Sequence, residues 1–315
     1  MAFGTPPAYM GFVGFVRFEF PADKLVVRAT SADVRLSQDI TKPDVIDGRY
    51  DRSVYQLGPK IVEGSVEYPA IMTDTDPAAR LYRACVGRES SGERFGQLKN
   101  SNLFDLGVRY TSQFAEFRYK DCLVNQWKFS AAQSDTVKIN CDLLGKSREK
   151  DSNIGNMTEG ADGFPRNSRI VTWNDVVVNI KAGDDLNISG EYIRNFECSI
   201  NNNAERYYSF NGLLEPQDIA VKKRDIDGSM TLLGRHPALG EYAETNQQRC
   251  SEDSEVQFGY NLTTGECDST FLVTLPNIVF RIEELALTND LFETTVQWHA
   301  FPDVLDLDSS TYLTT

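Results

Sequence analysis

The chain repeats itself at a fixed spacing, and that repeat limits its possible folds more than any local propensity does. The segment SADVRLSQDI, from Ser31, recurs as NFECSINNNA from Asn195, an offset of 164 residues (31 to 195) that sets Asp33 against Glu197 and Leu36 against Ile200. The same offset sets Gly48 of a DG pair against Gly212 of an NG pair. It then sets VEGSV at Val62 against IDGSM at Ile226, matching Gly64 with Gly228 and Ser65 with Ser229. After this Gly-Ser segment each copy reaches a proline that opens a helix-like run, DPAARLYRACVG from Asp76 and HPALGEYAETNQQ from His236. Asp76 suits an N-cap and Pro77 suits the first helical position, where a missing N–H costs nothing. Ala78, Leu81, Tyr82 and Cys85 then share one face of the helix. Gly240 shortens the second run.

Each copy closes with two strands around a polar turn: CLVNQWKFSAAQSDTVKINCDLLG from Cys122 and NIVFRIEELALTNDLFETTVQWHAF from Asn277, an offset of 155 (122 to 277) pairing Asp135 with Asp290. Val137, Ile139, Cys141 and Leu143 alternate with Lys138, Asn140 and Asp142; Phe292, Thr294, Val296 and Trp298 alternate with Glu293, Thr295 and Gln297. A period of two is that of a half-buried strand. The expected fold is therefore mainly β with short helices (α+β): two tandem β-sandwich or β-barrel domains, each with one packed helix. The boundaries are 1–145 for the first copy, 146–168 for a Gly-, Asn- and Ser-rich linker, and 169–315 for the second copy, with an inserted loop at 243–269.

Four alternating strands per copy leave one face to water. That face collects Asp33, Glu63, Glu67, Asp142, Glu197, Asp227, Glu283 and Glu293, against Arg35, Lys128, Lys138 and Arg281. The excess of acid agrees with the whole chain, whose 32 basic and 46 acidic residues give a net charge of −14. Such a surface is poorly matched to gripping nucleic acid phosphate. Between the first two strands of each copy runs a long excursion, 37–60 and 201–224, with exposed-looking aromatics: Tyr50 and Tyr55, then Tyr207, Tyr208 and Phe210. Connections this long inside a compact domain are usually functional, and these arms suit contact with another subunit.

Chemistry is harder to find. No CxxC pair exists, the two histidines are His236 and His299, and no P-loop, GxSxG or HExxH motif occurs. We expect no enzyme activity, no metal site and no cofactor. Of the six cysteines, Cys85, Cys141 and Cys198 read as plain core, while Cys250 and Cys267 bracket a polar loop that a disulfide could close. No run reaches the ~18 apolar residues of a membrane helix, so no membrane association is expected. The first residues lack the basic and apolar regions of a secretory signal. An alternative class, a secreted or surface module of two β-sandwiches, would share the strand alternation and the sequons at Asn156, Asn187 and Asn261.

The order of parts in the second copy resembles the tail tube proteins of tailed bacteriophages. A strand (FECSINNNAE) is followed by a long arm, a strand with a Gly-Ser step (KRDIDGSMTLLG), a helix and a closing hairpin (FLVTLPNIVFRIEEL, TTVQWHAF). The resemblance covers 195–303, and 31–145 through the repeat. It implies a structural virion protein of the tail, assembled in the host bacterial cytoplasm, whose strands join those of neighbouring subunits around a lumen. Asp33, Glu63, Glu67, Lys128, Lys138, Asp142, Glu197, Asp227, Arg281, Glu283 and Glu293 would then line an acidic conduit for DNA ejection, along which DNA passes without specific binding. The arms, ordering on assembly, would stack successive rings. The implied partners are the chain itself, a tape-measure protein, and a tail terminator or sheath. Two units per chain imply a homotrimer with pseudo-sixfold symmetry, with a homohexamer as the other option.

Overall fold

The structure, a computed structural model, describes residues 14–21, 24–41, 56–72, 76–87, 103–109, 117–150, 169–182, 186–233, 254–262, 269–282, 286–288 and 291–301. The first half contributes strands β1 (Gly14–Glu19), β2 (Lys24–Ala29), β3 (Ser31–Thr41), β4 (Gln56–Pro69) and β5 (Ile71–Met72). Helix α1 (Pro77–Val86) follows, then β6 (Phe104–Arg109), β7 (Phe117–Ala132), β8 (Lys138–Gly145) and β9 (Ser147–Lys150). The second half contributes β10 (Arg169–Ile170), β11 (Val176–Ala182), β12 (Leu186–Ser189), β13 (Ile193–Asn201), β14 (Glu205–Tyr207), β15 (Asp218–Ala220) and β16 (Asp225–Leu233). It ends with β17 (Ser254–Leu262), β18 (Ser269–Pro276), β19 (Ile278–Ile282), β20 (Ala286–Thr288) and β21 (Leu291–Ala300).

These strands form because apolar and polar residues alternate. In β8 the buried Ile139, Cys141 and Leu143 alternate with half-buried Lys138, Asn140 and Asp142. Helix α1 starts where the sequence places it: the Asp76 carboxylate accepts from Ala78 N at 2.8 Å and Ala79 N at 3.3 Å, and Pro77 opens the first turn. It stops at Gly87, whose φ of 81° is the left-handed cap that glycine adopts without strain. The corresponding run from His236 lies outside the described residues.

One antiparallel front sheet runs through both halves in the order β3-β4-β8-β7-β13-β16-β21-β19. Behind it, β2-β1-β6 and the first part of β7 form a second layer in the first half, and β12-β11-β17-β18 form the matching layer in the second. Strand β7 belongs to both layers. It changes over near Asp121, which has a φ of 49°, and in the second half β18 passes into β19 through Asn277, with a φ of 58°. Short polar side chains tolerate this left-handed backbone better than others. The segment 243–269, expected as an inserted loop, contains β17, which takes the place in its layer that β6 has in the first half. Its alternation of Val256, Phe258 and Tyr260, all fully buried, is masked in sequence by the polar residues around it.

The pairing repeats residue for residue. In the first half Asp33 faces Ser65, Val34 faces Gly64 and Leu36 faces Val62; in the second Glu197 faces Ser229, Cys198 faces Gly228 and Ile200 faces Ile226. Likewise Gly64 faces Leu143 and Val66 faces Cys141, while Gly228 faces Trp298 and Met230 faces Val296. Between the layers lies an aromatic core. Tyr82 of α1 packs edge-on against Trp127 at 5.3 Å and Phe271 at 6.0 Å, and Phe196 lies 5.2 Å from Phe258.

Candidate assembly surfaces

Because residues directly opposite in an antiparallel sheet share a face, the register decides which side chains meet on the polar side. One row runs Ser31, Glu67, Asn140, Lys128, Ser199, Asp227 and His299 across seven strands. The next includes Lys138, Ser130, Glu197, Ser229, Gln297 and Arg281. Asp33, Glu63, Asp142 and Glu293 alternate with buried neighbours on the same side. Glu283 lies outside the described residues. Several basic side chains on this side lie against carboxylates, Lys128 with Glu197 at 2.6 Å, Lys138 with Asp135 at 2.8 Å and Arg194 with Glu293, and the His299 ring nitrogen contacts Asp227. Partial burial pushes the Asp142 carboxyl above its ordinary range, with Lys128 drawing it back, whereas the Lys138 ammonium holds Asp135 below its range.

The centre of the sheet is a seam between the halves. Seven consecutive residues of β13, Asn195 to Asn201, pair with Ala132 to Gln126 of β7. Side chains zip it on the polar face, where Gln126 Nε2 donates to Ser199 Oγ at 2.6 Å and Lys128 bridges to Glu197. At its end Asn202 is fully buried and donates to the carbonyls of Cys85 and Val124, both at 2.9 Å. Arg224 Nε donates to Asn202 Oδ1 at 2.7 Å, and its guanidinium reaches the carbonyls of Cys85 and Val86 at the C-terminus of α1. A cation there satisfies open helix carbonyls and the dipole together. Sequence reasoning missed both residues, since a single Asn and Arg at the two ends of an arm carry no periodic signal.

The second arm was expected to order only on assembly, but it is folded against the first half. Leu214 O accepts from Lys60 N at 2.8 Å, and Tyr208 Oη donates to Lys60 O at 3.1 Å. Arg206 donates to Val62 O at 2.6 Å and lies 3.5 Å from Glu63, and Lys60 Nζ reaches Glu215 at 3.0 Å. Tyr207, Tyr208 and Phe210 remain exposed, together with Leu213 and Leu214 of the arm tip. Tyr50 and Tyr55 of the first arm lie outside the described residues, as do Cys250 and Cys267. Cys85, Cys122, Cys141 and Cys198 are buried free thiols, and burial pushes Cys85 up to about 12.

Beyond the seam the sheet ends in open edges: among the described residues β3 pairs only with β4, and β19 only with β21. Long strand edges left open are templates for another chain. Together with the polar face they define a mainly β protein of packed strand layers whose front sheet has free edges. The chain belongs to the phage tail tube protein family, whose model matches residues 2–279 and so runs through both halves. A search of curated proteins finds no match.

Proposed function

We propose that three copies of this chain close into a ring with pseudo-sixfold symmetry, and that rings stack into a hollow tube whose wall is the front sheet. The observation that carries this reading is the seam between β7 and β13. Under the two repeat offsets, the free edge of β3 corresponds to β13 and the free edge of β19 corresponds to β7. The tandem unit, with copies at 1–145 and 169–315, therefore contains one joint already made, and its two ends are the halves of the same joint. Head-to-tail contacts of this kind close naturally into rings.

The offsets also suggest a register for the joint between chains. Gln126 against Asn201 becomes Arg281 against Ser37 of a neighbouring copy, and Lys128 against Ser199 becomes Glu283 against Arg35. The last pair is of opposite charge, which favours the register. The polar face then lines the lumen. Its acidic excess keeps DNA off the wall, because each phosphate contact forgone also forgoes a gain from counterion release. The tape-measure protein would occupy this lumen before DNA does, and a terminator or sheath would meet the outer surfaces. Assembly takes place in the host cytoplasm. Ring mass tests the reading: particles of three chains, seen as hollow rings by negative-stain microscopy, are expected. Rings of six chains would replace the trimer, and a protein that stays monomeric at all concentrations would end the tube reading.

A further inference from the structure

The front strands run between two ends of the molecule. At one end lie the second arm and the starts of β4 and β16; at the other lie the ends of β4 and β16 and the start of β13. Every large apolar side chain that is exposed among the described residues falls at one end or the other. The five of the arm, with Ile40, Leu57 and Phe301, share the first end; Ile170, Trp173, Tyr192 and Leu233 share the second. The strand faces between them carry none. Apolar surface concentrated at the two ends of a subunit marks contact along the tube axis.

The two ends differ in shape. At the arm end Phe210 is 113% exposed, so nothing among the described residues shields its ring. At the opposite end the two layers part into a groove whose apolar floor, with Trp173, Ile193, Phe196 and Leu233, is rimmed by the polar Gln133, Asn174 and Arg194. Hydrogen bonds frame the groove. Trp173 N donates to Asp135 O at 3.1 Å, and Asp175 caps the Trp173–Asp175 turn by accepting from Thr172 N at 3.0 Å and from Arg169 at 2.9 Å.

We propose that rings stack by seating Phe210 of one copy in the Trp173 groove of a copy in the next ring. The inference rests on the tube reading above and names its axial contact. A knob on one end and a socket on the other make a heterologous contact that does not close, so each added ring presents a fresh socket. The arm's fixed base, held by Asn202 and Arg224, presents Phe210 already in place.

Two variants test it. Phe210→Ala should form rings of normal mass that stack only at a concentration at least about tenfold above wild type, from the loss of one buried aromatic per contact; Leu233→Asp should do the same from the socket side. In tubes of the Phe210→Cys, Leu233→Cys double variant, mild oxidation should link chains of different rings, with the linked peptides identified by mass spectrometry. The Phe210→Cys, Ser229→Cys pair should not link. Stacking of both single variants at the wild-type concentration, or assembled tubes in which residues 210 and 233 never link, would overturn the contact and leave the rings standing. A wild-type chain that forms no rings overturns both.

Discussion

The Tyr260 hydroxyl, on β17 of the second half, donates to the Asp76 carboxylate that caps α1 in the first. Burial in this site outweighs the hydrogen bonds and raises the Asp76 pKa to about 6. A folded-state pKa above the unfolded value means that the native state holds the proton longer. Its contribution is greatest below the unfolded pKa and declines as pH rises through the folded one. Between pH 4 and 7 this decline is worth roughly 2.5 kcal/mol. Asp76→Asn keeps a capping oxygen and removes the titration, so the gap between wild type and variant in urea denaturation should change by about that amount across the range. A gap that does not vary with pH would contradict the assignment.

A Cβ on Gly228 would fall 2.0 Å from the Trp298 ring and 2.6 Å from Glu197 O, and one on Gly64 would fall 2.0 Å from Asp33 O. Neither the indole nor a paired backbone can move aside cheaply. Gly228→Ala and Gly64→Ala should each lower stability by about 1–3 kcal/mol, read as a fall in thermal midpoint.

Asn202 is expected to be the costliest polar residue of the seam. Asn202→Leu takes the amide donor from the Val124 carbonyl and the amide oxygen from Arg224 Nε, and leaves the Cys85 carbonyl its longer contact with the Arg224 guanidinium. A buried group that loses a hydrogen bond in this way costs about 1–3 kcal/mol, so the free subunit should lose at least about 2 kcal/mol in chemical denaturation.

The chain-to-chain register makes a charge-swap prediction. Arg35→Glu should block ring closure by setting two acids face to face, and Glu283→Arg added to it should restore rings, both scored by light scattering. Failure of the pair to rescue would mean that the edges meet in another register.

If the polar face lines the lumen, replacing Asp33 and Glu67 by Lys should leave tubes assembling but slow DNA ejection. The slowing should be stronger at low salt, where screening is weak. Normal ejection at low salt would place these residues elsewhere.

The front sheet was legible because strand periodicity and repeat point the same way: Cys141 and Val296, or Gly64 and Gly228, can be matched by eye and then paired by register. The back layer was not. Val256, Phe258 and Tyr260 alternate as well as any core strand, but Gly259 and a polar surround disguise them, and no matching segment of the first half was recognised. The fold of the second arm was hidden for another reason. Its bonds to Lys60 and Val62 join residues 148 and 144 positions apart, and such contacts leave no trace in local pattern.

The bond between β7 and β13 forms within one chain, so it is first order and indifferent to dilution, whereas the proposed joint between β19 and β3 would be a bimolecular event. In the proposed ring every second joint is thus backed by the polypeptide itself. Pressure from within, or falling subunit supply, can part only the other three, and a broken ring would shed intact two-unit arcs rather than single units.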